Sequence, residues 1–168
     1  MRTIENSVRA AVGVVALLLV APPAAAAVEQ RQPAKQTLKR LVANNKKPHN
    51  LVLQVNVNEP AMMNLALNNA TNVAQYYKDL GENVTIEVVT FGPGLHMLRD
   101  DTSPVKARIK SIKEANPAIT FKACGNTQEN MHRVENKDIP LIPEATVVKS
   151  GVVRVMELQE QGWSYVKP

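Results

Sequence analysis

The stretch NLVLQVNVNEPAMMNLALNNATNVAQYYKDLG, residues 50–81, changes its period midway. Residues 50–57 are rich in branched side chains and read as a β-strand. From Glu59 the period lengthens. Met62, Ala66, Ala70, Val73, Tyr77 and Leu80 recur at three- and four-residue steps, which predicts a helix over 59–81 with one apolar face. Pro60 falls in its first turn and Gly81 is a suitable stop. A strand feeding a helix is half of a parallel βαβ unit.

The pattern repeats downstream. NVTIEVVTF (83–91) reads as a second strand, and Gly92, Pro93 and Gly94 break it sharply. SPVKARIKSIKEAN (103–116) reads as a helix capped by Ser103, with Pro104 in the first position and Val105, Ile109 and Ile112 facing inward. AITFKA (118–123) is a third strand, followed by a short helix over 126–136. Pro140 and Pro143 restrict the next strand to ATVVK (145–149). A last helix spans 151–162 and a short strand 163–167. Strands alternating with helices predict an α/β domain, its sheet mostly parallel and covered by helices on both faces. Crossovers in such a fold are right-handed, and ligands bind beyond the carboxyl ends of the strands.

The chain has 168 residues, enough for one domain, with 45% hydrophobic and 21% charged residues. Its first residues read differently. MRTIENSVR carries two arginines, AAVGVVALLLV is uncharged and apolar, and APPAAAA offers small residues. That is the layout of a secretory signal over residues 1–27, cleaved near Ala25 to Ala27, and it implies a periplasmic or secreted protein. The other reading of the same run is an uncleaved anchor. Without residues 1–27 the chain keeps 18 Lys plus Arg against 14 Asp plus Glu. Much of that excess lies in a basic linker or arm over 28–48, ahead of a domain spanning 49–168. Aromatic residues are only 4%, and no basic stripe is interleaved with stacking residues, which argues against nucleic-acid binding.

Cys124 is the only cysteine, so no disulfide forms within the chain. It ends the third strand and precedes a helix. Asn126 or Thr127 are candidates to cap that helix. Its unpaired N–H groups and dipole then favour thiolate over thiol, and Gly125 leaves room for a partner to approach. The alternative is a buried cysteine used as a small apolar residue. Three loops leave the carboxyl ends of the strands and place Asn56, Asn58, His96 and Cys124 along one edge of the sheet. His96 is a candidate base or hydrogen-bond partner for Cys124, or a loop residue. Asn56, Asn58, Gly125 and Asn126 are candidate ligand contacts. No cofactor motif is present: GPG lacks the spacing and the lysine of a phosphate loop. His96–Met97, Met131–His132 and Met62–Met63 would suit copper together with Cys124, but no recognised ligand spacing supports a metal.

Four segments also carry a resemblance: LVLQVNVNEPAMMNLALNNATNVAQYY, IEVVTFGPGLHML, TFKACGNT and VVRVMELQEQGWSYVKP. From about His49 to Pro168 the chain resembles the DsrE/DsrF-like family, and its CGNT context matches an exported branch. The resemblance implies a flavodoxin-like α/β fold, a homo-oligomer and, in some branches, sulfur relay between donor and acceptor proteins. It assigns Cys124 the role of persulfide carrier.

Overall fold

The structure, a computed structural model, describes residues 48–168. The expected signal and nearly all of the basic arm lie outside them. Five strands form one all-parallel sheet: β1 (His49–Val55), β2 (Val84–Thr90), β3 (Ile119–Cys124), β4 (Ala145–Val148) and β5 (Ser164–Val166). Their spatial order is β4-β3-β2-β1-β5. One row of the register runs Ala145, Phe121, Val88, Leu53, Val166 across the whole sheet. This is the expected α/β, flavodoxin-like architecture.

The order fixes where the helices lie. From β1 to β4 the chain steps in one direction, so right-handed crossovers put α1 (Pro60–Asp79), α2 (Lys106–Ala115) and α3 (Gly125–Glu135) on one face. From β4 it returns past β1 to β5, which puts α4 (Gly151–Glu160) on the other. The two faces differ accordingly. Leu51, Leu53, Val55, Ile86, Val88, Ile119 and Phe121 join the large core beneath α1 and α2. Under α4 the core is small, with Val52, Val89, Val155 and Leu158 flanked by Phe91 and Trp163. Glu87 is buried on this second face and takes two hydrogen bonds from Arg154 of α4, at 2.6 and 3.0 Å. Among the described residues no helix is long and apolar enough to cross a membrane.

Two local expectations are corrected. The buried face of α1 runs Met63, Ala66, Leu67, Ala70, Ala74. Leu80 is 54% exposed, and Tyr77 lies at the edge of the face, where it stacks on His49. Ser103 does not cap α2. Its hydroxyl donates to the Met97 carbonyl at 2.6 Å and accepts from the Val105 N–H, holding a turn, and the helix begins only at Lys106. Beyond the break at Gly92, Pro93 and Gly94, Gly92–Leu98 forms a seven-residue 3-10 helix that the sequence pattern did not reveal, and it buries Leu95, Met97 and Leu98. Gly81 does end α1, with φ +66°.

Candidate functional site

Side chains alternate across a strand, so Thr120, Lys122 and Cys124 of β3 point to the face that α4 covers. β3 passes directly into α3 at Gly125, which makes Cys124 itself the N-cap residue of α3. This corrects the assignment of the cap to Asn126 or Thr127. A cap usually offers an oxygen to the first free N–H groups of its helix. Here a sulfur stands in that place; it makes no cap hydrogen bond, but the backbone N–H groups of Asn126 and Thr127 at the helix start favour its anionic form.

A second helix start converges on the same atom. Ser150 caps α4 by accepting from the Val153 N–H, and Gly151 is the first helical residue. The Gly151 N–H also faces the Cys124 sulfur. The approach is tight. A Cβ on Gly151 would lie 3.2 Å from Cys124 Cβ and 2.8 Å from Phe91 Cδ1. Only a glycine lets α4 begin so close to the end of β3.

The fourth group at the sulfur is the Thr127 hydroxyl. Thr127 Oγ1 accepts from the Gly92 N–H at 3.0 Å, which leaves its proton free to point at the sulfur. Sequence reading offered Thr127 only as a cap and missed this role. The signal was its position three residues after the cysteine, one helical turn on.

Burial opposes these groups. Cys124 is 4% exposed, and desolvation, the largest single influence, favours the neutral thiol. The Thr127 hydroxyl and the N–H groups of Gly151, Thr127 and Asn126 act in the other direction. Together they outweigh desolvation, and the pKa falls below the ordinary thiol value. The two helix dipoles add in the same sense.

The remaining candidates separate. Asn56 follows β1, His96 lies in the 3-10 helix after β2, and Cys124 ends β3, so all three sit at the carboxyl edge of the sheet. His96 is not joined to Cys124: its Nδ1 lies 2.8 Å from Thr102 Oγ1. Asn58 is exposed. Gly125 gives no open approach, because a Cβ there would meet Val147 Cγ1 at 3.2 Å and the Val148 carbonyl at 3.3 Å. The Asn126 backbone N–H also reaches the Lys149 carbonyl at 3.2 Å. With Lys149, Ser150 and Arg154, Asn126 lines a cavity of about 460 Å³ at the two helix starts.

The soft ligands weighed for copper are scattered. Met63 and Met97 are fully buried in the core, and His132 Nδ1 lies 2.8 Å from the Lys137 carbonyl. Among the described residues no group of three or more His, Cys, Asp or Glu side chains is arranged to hold a metal ion.

No family model matches the chain, and no curated protein matches it. Among solved structures it is similar to MTH1491 from Methanobacterium thermoautotrophicum, a protein of unknown function. The two are 27% identical with a TM-score of 0.61, over 71% of this chain and 99% of that one.

Proposed function

We propose that this protein handles sulfur, with Cys124 accepting and passing on a sulfane sulfur as a persulfide. The observation behind the proposal is the convergence of two helix starts and one hydroxyl on a single sulfur atom. The resemblance to DsrE/DsrF-like proteins supports the same reading.

The step is a thiol–persulfide exchange. The Cys124 thiolate attacks the outer sulfur of a donor persulfide, R–S–SH. A sulfur–sulfur bond forms to Cys124, the donor's own bond breaks, and R–S⁻ leaves. An acceptor thiolate then attacks the outer sulfur on Cys124 and restores the Cys124 thiolate. No external oxidant or reductant is consumed. N–H groups aimed at the sulfur stabilise its anionic form before attack and again as it leaves.

Export and assembly belong to the same proposal. An exported carrier meets its donor and acceptor outside the cytoplasm, in keeping with the apolar leader. A second copy of the chain is the proposed neighbour for the exposed Val147 of β4 and Val152, Val153 and Met156 of α4. Within the apolar stretch of residues 139–148, Val147 belongs to that surface, whereas Ile139 and Ile142 are buried within the chain itself.

The test is mass spectrometry of the intact protein after incubation with a low-molecular-weight persulfide, followed by gel filtration. The expected product carries one added sulfur atom on the peptide containing Cys124. It returns to the starting mass when a thiol acceptor is added. Cys124→Ser should show no gain while keeping a wild-type circular dichroism spectrum. An unmodified Cys124 after exposure would leave a non-catalytic oligomeric binding protein, with the cysteine as a packing residue, as the reading to pursue.

A further inference from the structure

We infer that the cleft between the carboxyl ends of β1 and β5 binds a small zwitterion of the free amino-acid class. It is separate from Cys124 and does not depend on sulfur chemistry.

Topology points there first. The chain leaves β1 at its carboxyl end toward α1, and β5, the edge strand beside β1, is the last element, so the two carboxyl ends lie side by side at the rim of the sheet. In open parallel sheets ligands bind beyond the carboxyl ends of the strands. The structure has a cavity of about 270 Å³ at that place, walled by Gln54, Asn56, Glu59 and Met62 on the β1 side and Lys167 and Pro168 on the β5 side.

The second observation is Asn56. Its Oδ1 is shut away from solvent and has no hydrogen-bond partner among the described residues. Buried acceptors are nearly always satisfied, so an orphan at a cavity wall calls for a donor. Rotation about the broad terminal torsion of asparagine would be needed to bring that oxygen to the cavity wall.

Charge supplies the third. Glu59 and Lys167 line the same small space with opposite signs, and neither side chain forms an ion pair or hydrogen bond among the described residues. Gln54 Oε1 is held in place by the Tyr165 hydroxyl at 2.7 Å and has a lone pair to spare. An ammonium group suits Asn56 Oδ1, Gln54 Oε1 and Glu59. A carboxylate suits Lys167, and a short apolar side chain suits Met62. One molecule with all three features is an α-amino acid.

The experiment is titration of the ¹⁵N-labelled full-length chain, read by amide chemical shifts. The probes are L-leucine and its two halves, 3-methylbutylamine and 4-methylpentanoate. Leucine should shift the Asn56 side-chain amide along a saturating curve, and each half should bind at least tenfold more weakly. Asn56→Ala should weaken leucine at least tenfold without lowering the thermal midpoint, since the orphan acceptor is gone. Lys167→Gln should weaken leucine and leave the amine unaffected. Absence of a saturable shift with leucine, equal binding of either half, or undiminished binding by both variants would overturn the inference. Persulfide loading of Cys124 is read separately, so either conclusion can fall without the other.

Discussion

Replacing Arg99 with alanine is expected to remove about 2–3 kcal/mol of stability, between the worth of an exposed pair and the cost of breaking a fully buried one, because Arg99 is buried while Asp101 and Glu135 are part-exposed. Arg99 is 1% exposed, the largest fully buried side chain in the domain. Its Nε and Nη2 donate to the two Asp101 carboxylate oxygens at 2.8 and 2.7 Å, and Nη2 also reaches Glu135 Oε2 at 2.9 Å. Asp101 follows the 3-10 helix and Glu135 ends α3, so one guanidinium ties the loop after β2 to the helix that begins at Cys124. Without it two carboxylates face each other beside a new cavity, with only Lys137 near them. Domains of this size have about 5–15 kcal/mol in hand, so the variant should unfold at markedly lower urea. A loss below about 1 kcal/mol would mean that the cluster is no more than surface decoration.

The same cluster sets an acid limit. Hydrogen bonding to Arg99 holds Glu135 down to about 2 and keeps Asp101 well below the usual carboxylate range. A carboxylate depressed in the folded state stabilises it fully above the unfolded pKa, near 4. That contribution is lost as pH falls through the folded value. The urea midpoint of the wild type should therefore decline between about pH 4.5 and 2, and Arg99→Ala should show a much flatter decline there.

Gly94→Ala is the second large effect. A Cβ at Gly94 would stand 2.2 Å from the Val55 carbonyl oxygen and 2.8 Å from Asn56 Cα, both of them backbone. No rotamer change relieves such a clash. Either the 3-10 helix lifts or the end of β1 moves, at a cost at or above the upper end of the about 1–3 kcal/mol typical of overpacking. Lifting the 3-10 helix would also withdraw the Gly92 N–H from Thr127 and loosen the hydroxyl that faces Cys124. Urea denaturation measures the first consequence, and a variant as stable as wild type would show that the close approach is not real.

Much of the fold could be read in the residues because its signals are local. The period change at Glu59, Pro60 at a helix start and Gly81 at its end mark one βαβ half without any tertiary knowledge. The strands fell within one or two residues of their positions for the same reason. What escaped depends on contacts far apart in sequence. Arg99 and Glu135, or Glu87 and Arg154, look like ordinary charges until the fold places them together. Ser103 looked like a cap because nothing nearby shows that its hydroxyl is claimed by Met97. At the site, Cys124 was visible as a lone thiol at a strand end. Its second set of donors, from Gly151, was not, since 27 residues and a strand separate them. His96 was named for its chemistry, and the fold gave its ring to Thr102 instead.

The central claim is that two helix starts and the Thr127 hydroxyl lower the pKa of the Cys124 thiol against the opposing effect of burial. The most direct measurement is the rate of alkylation by iodoacetamide against pH in the folded full-length chain, with Gly151→Ala alongside. The account predicts a midpoint below the free-cysteine value of about 8.5, and a higher midpoint in Gly151→Ala, whose added Cβ pushes the α4 start away from the sulfur. A wild-type midpoint above about 9, or no labelling until the protein unfolds, would contradict it and make Cys124 a core residue that ends a strand.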